Sequence, residues 1–306
     1  MDAEALNTFL TVYRQRGFST AARVLNRTQP AISHRISLLE QELGMPLFER
    51  MSNGIALSQA GRVLLPYAER ALAALQDAEA AVRALKTENA GPVSLAVVGT
   101  LASTRLTAIL KRFAAGHPSV DLALQTVRST EVSDLVRRGE ATIGIRYDRD
   151  RSADLQYDCL GVEGLQVVCS TDHALAGGSI PSLSGLVDER WIAFPEIPGQ
   201  REIWASHVFS IFQTLGLGDV DWTPVDSLTA QKRLVEAGFG LALMAESGVA
   251  EERAAGTLTT IDVRDLTLTI PIFIVTRRGG FLSAAANRLH ELLSTDYLGH
   301  DPANPS

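Results

Sequence analysis

With two cysteines in 306 residues, Cys159 and Cys169, the chain cannot be stapled by a disulfide framework. The two fall in neighbouring strand-like segments, where the preferred reading is small buried hydrophobes and the alternative is a redox switch. Long apolar runs are missing too. Although 46% of residues are hydrophobic, no stretch of about 18 is continuously apolar and the N-terminus has no leader pattern, so a soluble, cytoplasmic protein is expected. The sequence contains no G-x-S-x-G elbow, no P-loop, no H-E-x-x-H and no G-x-G-x-x-G, and an enzyme is therefore not expected. Six histidines are scattered without ligand spacing, which leaves no metal and no other cofactor to anticipate.

Positive charge is also short, with 28 Lys+Arg against 35 Asp+Glu for a net charge of −7. The shortage is uneven: residues 1–90 hold ten basic against nine acidic residues, and residues 91–306 hold 18 against 26. An acidic surface repels phosphate, so any nucleic-acid-facing surface belongs to the N-terminal part. The length suits two or three structural units.

What is present there is a compact sequence of helix signals. Leu6, Phe9, Leu10 and Tyr13 follow i, i+3, i+4, i+7, the stripe of an amphipathic first helix. Ser19 is placed to cap a short second helix carrying Ala21, Ala22 and Leu25. Asn26-Arg27 breaks that period, and Thr28 offers a second N-cap followed by Pro30 in the first turn, where proline loses no hydrogen bond. Ile32, Ile36, Leu39 and Leu43 form the buried stripe of this third helix, which turns Gln29, Ser33, His34 and Arg35 outward or to its flanks. Gln29 can pair bidentately with adenine and Arg35 with guanine or phosphate, although any amphipathic helix shows polar residues outward. Gly44-Met45-Pro46 ends the helix, and Ser52-Asn53-Gly54 is a turn between two short apolar runs, the pattern of a β-hairpin wing.

The run S-T-A-A-x-x-L-x-x-T-Q-P-A-I-S-x-x-I-x-x-L-E-x-x-L-G-x-P-L-F-E-R, Ser19 to Arg50, resembles the DNA-binding signature of LysR-type transcriptional regulators. The resemblance is dense over the first 60 residues, and the order of elements extends it over the whole chain. It implies an α/β architecture with an N-terminal winged helix-turn-helix (1–58), a linker helix for dimerisation (59–88) and a periplasmic-binding-protein-like effector domain (92–306). Subdomain I of that domain would comprise about 92–161 and 267–306, and subdomain II about 162–266. The implied DNA-contacting set is Ser19, Thr20, Thr28, Gln29, Pro30, Ser33, His34, Arg35, Arg50 and Asn53, on double-stranded promoter DNA. The chain departs from the family where His34 replaces a frequent arginine and where the wing tip reads Met51-Ser52-Asn53-Gly54.

From Ser58 to Lys86 alanine and leucine dominate, with Ala68, Leu75 and Val82 seven apart and Leu64, Ala71, Ala78 and Leu85 likewise. Two such seams on a helix of about 40 Å ask for a partner helix. Pro66 is a kink site. Self-association as a dimer is expected, and the resemblance adds a tetramer, with RNA polymerase a further candidate partner.

After the breakers Gly91-Pro92, strands and helices alternate: Val93–Val98, Arg105–Ala115, Val120–Val127, Glu131–Arg138 and Thr142–Arg146, which implies a parallel sheet. Leu155–Leu160 and Leu165–Ser170 read as two strands. Strands near Trp191, Trp222 and Gly240 alternate with helices near 203–215 and 228–237, and the chain closes with a strand at Leu268–Thr276 and a helix at Ser283–Ser294. In such folds a ligand binds beyond the carboxyl ends of the strands, which selects the loops after the first three strands and, opposite them, Phe194 and Ser227. By the resemblance, Thr100, Ser103, Thr104, Ser129 and Arg146 stand where family members contact their inducer, with Phe194 and Ser227 facing them. Hydroxyl-capped helix starts and Arg146 favour a small organic anion, and Glu196 and Asp226 near the same mouth leave a neutral or zwitterionic ligand as the alternative.

Overall fold

The computed structural model describes residues 1–51, 54–85, 91–102, 104–150, 152–195, 212 and 220–298. The chain divides into two compact units, one built on Met1–Lys86 and the other on Thr87–Val136, Ala141–Arg278 and Leu282–Ser306.

In the first unit α1 (Ala3–Arg14) is capped by Asp2, whose carboxylate accepts from the Ala5 N–H at 2.7 Å. Its apolar stripe buries Leu6, Phe9 and Leu10, but Tyr13, expected in the same stripe, is exposed because α1 ends one residue later. Helix α2 (Phe18–Val24) starts without a side-chain cap; Gly17 holds the N-cap position and Ser19, expected there, lies inside the first turn. Asn26 takes a left-handed conformation (φ 52°) that turns the chain toward α3 (Gln29–Leu43), a conformation asparagine tolerates better than most residues. The Thr28 hydroxyl caps α3 by accepting from the Ala31 N–H, an arrangement that contributes about 1 kcal/mol. Ile32, Ile36 and Leu39 are buried as the period requires, whereas Leu43 is exposed. The next residue, Gly44 (φ 72°), ends the helix and turns the chain away before Leu43 meets the core.

The wing is antiparallel, β1 (Phe48–Met51) against β2 (Gly54–Leu57). Phe48 packs on Phe9 of α1 and Phe18 of α2 with ring centroids 5.4 and 5.7 Å away, and the Glu40 carboxylate of α3 accepts from the Leu47 N–H at 2.7 Å, so the wing is fastened to all three helices. Helix α4 (Gln59–Ala84) is capped by Ser58 and carries Pro66 inside it. Gly61 is required there, since a Cβ would lie 2.2 Å from the Leu47 carbonyl oxygen. Each heptad seam is covered at its start and open farther along: Ala68 and Leu64 pack into the unit's own core, while Leu75 and Val82 on one seam and Leu85 on the other are exposed.

The second unit is built on an eight-stranded mixed sheet, with β3 (Gly91–Val98), β4 (Val120–Val127) and β5 (Ile143–Tyr147) parallel as the alternation implied. Helices α5 (Thr104–Gly116) and α6 (Ser129–Arg137) connect them. Contrary to the two-strand expectation, Leu155–Ser170 is one continuous strand, β6. Its glycines mark an irregularity rather than a break: pairing with β12 (Thr269–Arg277) shifts by one residue at Leu160, next to Gly161 (φ 139°), as in a β-bulge. The first part of β6 pairs antiparallel with β12, and its last part pairs with β10 (Ala242–Ala245) and β11 (Leu258–Val263). Strand β6 thus ties the two lobes of this unit together. In the second lobe β7 (Ser179–Ile180) pairs with β11, β8 (Trp191–Ala193) lies parallel to β9 (Trp222–Pro224), and helices α7 (Leu228–Glu236) and α8 (Glu246–Ala255) pack alongside. Helix α9 (Ala284–Leu298) returns to the first lobe. The expected helix near 203–215 and hinge residues 87–90 lie outside the described residues.

Candidate DNA interface and effector cavity

Helix α3 presents its candidate residues by period alone. Thr28, Gln29, Pro30 and His34 are exposed, and Ser33 and Arg35 are half-buried on the two flanks. The Gln29 amide donates to the Ser33 hydroxyl at 2.8 Å, one turn along the helix. A side-chain amide has two donors and an acceptor, so this bond holds the amide in place while leaving one N–H and the oxygen for a bidentate contact. Arg35 is turned to α1, with its guanidinium 3.0 Å from Glu4. On α2, Ser19 is exposed and Thr20 half-buried. Arg50 occupies β1, paired with Ile55, and Asn53 lies outside the described residues.

In the second unit a cavity of about 630 Å3 opens where the first lobe's strand ends face the start of α7. Of the expected effector residues Thr100, Phe194 and Ser227 line it. Thr100 sits in a short 3-10 turn after β3, its hydroxyl oxygen buried near Tyr147 without a hydrogen bond of normal geometry. Burial first, and the neighbouring Glu163 second, hold the Tyr147 hydroxyl protonated well above its usual range; it donates to Glu163 at 3.0 Å. Ser227 caps α7 by accepting from the Ala230 N–H.

Two expected residues stand elsewhere. Arg146 is buried, donating to the Ser133 hydroxyl and to the Tyr147 carbonyl at 3.1 Å and pairing with Asp150 at 3.2 Å, so its charge is satisfied inside the first lobe and it does not line the cavity. Ser129 is buried as the first residue of α6 and is absent from the cavity wall; the Arg128 N–H ahead of it is capped by Glu131. Ser103 lies outside the described residues, and Thr104 begins α5.

The wall instead draws its charge from Arg128, in the loop after the second parallel strand, from Asp226, and from Glu131 and Lys232, which the order of elements does not single out. Lys232 pairs with Glu252 at 2.6 Å, both side chains about 15% exposed, and also donates to the Gly248 carbonyl. A signal for Lys232 did exist, since it stands one turn past Leu228, the first residue of α7, and Leu228 also lines the cavity.

The cysteines differ from the buried pair expected: Cys159 is exposed and Cys169 buried. Burial pushes the Cys169 thiol up to about 11, which keeps it inert. Both stand on β6, ten residues apart and so separated by roughly 30 Å, far beyond the reach of a disulfide within one chain. Among the described residues no helix is long and apolar enough to cross a membrane.

Comparison with known proteins agrees with this division. Residues 3–62 match the family described as bacterial regulatory helix-turn-helix protein, lysR family, and residues 86–297 match the LysR substrate binding domain. The chain is similar to the RuBisCO operon transcriptional regulator of Allochromatium vinosum, 27% identical over 95% of each chain. It is 28% identical to the HTH-type transcriptional regulator CbbR of Rhodospirillum rubrum over 93% of each. Among solved structures, CbnR, a LysR family transcriptional regulator, superposes with a TM-score of 0.64 at 21% identity, covering 97% of this chain and 99% of that one. LysG of Corynebacterium glutamicum with bound effector Arg superposes at 0.62 with 18% identity, covering 98% and 99%. The chain belongs to the LysR family and is a DNA-binding transcriptional regulator with an effector-binding domain.

Proposed function

We propose that helix α3 reads the major groove of promoter DNA through Gln29, Ser33 and His34, with Arg35 on its flank meeting a phosphate and Thr28 and Pro30 setting its entry, and that the chain works as a cytoplasmic dimer joined through α4. Val63, Tyr67, Leu75 and Val82 of α4 and its C-cap Leu85 are exposed, and burying such side chains against a second copy is worth roughly 1.5–3 kcal/mol each. A catalytic role has no support, since the relatives are regulators.

The effector is a small molecule bearing a carboxylate, held in the cavity between Thr100 and Ser227. The observation that carries this reading is the meeting of two helix starts, α6 at Arg128 and α7 at Ser227, on the wall of one cavity that Thr100 also lines. Helix N-termini favour anions, and Arg128 adds positive charge, the charge of Lys232 being paired with Glu252. Glu131 and Asp226 on the same wall support a second reading, an amino-acid-like zwitterion whose amine faces the acids. Thermal-shift screening of the full chain against small carboxylates, amino acids and neutral sugars separates these. Stabilisation by carboxylates alone, lost in Thr100→Val, is the expected result; stabilisation by amino acids alone selects the zwitterion, and stabilisation by sugars unaffected by Thr100→Val contradicts both.

A further inference from the structure

We propose that Glu4, on the first turn of α1, is a positioning residue that restrains two arginines beside the start and flank of α3 and so lowers the chain's affinity for DNA of arbitrary sequence. The inference rests on the reading of α3 as the DNA-reading helix. The two carboxylate oxygens of Glu4 face different guanidinium groups: Oε2 lies 3.0 Å from Arg35 on α3, and Oε1 lies 3.7 Å from Arg27, just ahead of the Thr28 cap. One acid from α1 thereby bridges the turn and the flank of α3. All three residues line a recess of about 620 Å3 whose walls include Asn7, Leu25 and Ala31.

The consequence follows from how little positive charge this unit carries. Residues 1–58 contain no lysine and six arginines, Arg14, Arg16, Arg23, Arg27, Arg35 and Arg50, against five acidic residues. Glu4 engages two of those six. Non-specific binding is supplied almost wholly by neutralised phosphates, so an acid beside a third of the arginines weakens that component most. The pairs are open to solvent, with side-chain exposures of 54% for Glu4, 34% for Arg35 and 63% for Arg27. Exposed ion pairs are weak, and an arriving phosphate can displace the carboxylate. The displaced carboxylate remains tethered to α1 within reach and opposes the phosphate by like charge. Base contacts from Gln29 and Ser33, on the other flank of α3, do not involve Glu4. Glu4 therefore subtracts from phosphate affinity while leaving base reading in place, and it raises specificity by lowering the background. A purely local role, an acid favourably placed at the N-terminus of α1, would produce none of this salt-dependent signature.

The test uses the full chain and two duplexes of equal length, one of random sequence and one enriched by repeated selection on the wild-type protein. Binding is measured across a series of salt concentrations. Glu4→Gln should steepen the dependence of log K on log salt by about 0.9 for each arginine released to phosphate. It should also tighten random-duplex binding several-fold at low salt and narrow the ratio between the two duplexes. Adding Arg35→Ala should cancel most of that gain. An unchanged salt slope and unchanged random-duplex affinity in Glu4→Gln, while Gln29→Ala still weakens the selected duplex, would overturn the role of Glu4 and leave the reading of α3 intact. If Gln29→Ala and Arg35→Ala leave both duplexes unaffected, the reading of α3 falls and this inference with it.

Discussion

The first unit gathers six of its ten candidate contacts from one short stretch, Thr28 to Arg35, at the start of α3, whereas the second assembles its cavity from segments more than a hundred residues apart. In α3 the spacing of Ile32, Ile36 and Leu39 decides which residues face outward, and the Thr28 cap and Gly44 stop decide where the helix lies along the chain. In the cavity nothing local decides: Thr100 and Ser227 face one another because β6 ties two lobes together. A surface that reads DNA needs a rigid row of side chains, while a cavity that senses a ligand needs walls on separate lobes. Ligand affinity can then differ between arrangements of those lobes.

The largest expected effect breaks the comparison on the side of the second unit. Lys232→Ala leaves Glu252 without its cation in a largely buried setting and should destabilise that unit by about 3–5 kcal/mol. Chemical denaturation of the full chain followed by tryptophan fluorescence reports it, because Trp191 and Trp222 both lie in the second unit. A loss below about 1 kcal/mol would mean that the pair is solvated and that the wall is less built than described.

Leu75→Glu comes next. Placing a charge on the uncovered stretch of α4 should convert the dimer to monomer in sedimentation velocity and, by removing the second half-site contact, weaken DNA binding. Unaltered sedimentation would place the interface away from α4.

Gln29→Ala sharpens the comparison on the side of the first unit, with a smaller effect of about 1–3 kcal/mol at one base position per half-site. Competition between the selected duplex and single-base variants at fixed salt measures it. An equal loss on every duplex would assign Gln29 to phosphate rather than to a base.

How much was legible divides along the same line. The three helices, the wing and the capped start of α3 could be read because caps, periods and turns act within a few residues. The failures there sit at helix ends, where Tyr13 and Leu43 satisfy the period but have no neighbour to bury them, and at Ser19, displaced when Gly17 took the cap. In the second unit the alternating elements were legible but partners were not. Arg146 stands at a strand end like a ligand-facing residue, yet Ser133 and Asp150 hold it within the first lobe. Helix α8 and strand β11 are not legible because only Val249 of α8 is buried, which leaves no apolar period, and the apolar residues of β11, Leu258, Ile261 and Val263, do not alternate. The split of Leu155–Ser170 into two strands came from reading Gly161 and Gly164 as breakers, when the first accompanies a bulge within one strand.

We infer that a ligand in the cavity changes how α3 engages DNA. Coupling between binding sites is reciprocal, and this permits a direct measurement. A carboxylate identified by thermal shift is titrated calorimetrically into the full chain, alone and saturated with the selected duplex, and the duplex is titrated with and without the carboxylate. The account predicts that both affinities change by the same factor and that Thr100→Val abolishes the change in each. Carboxylate binding of equal affinity with and without DNA would contradict it.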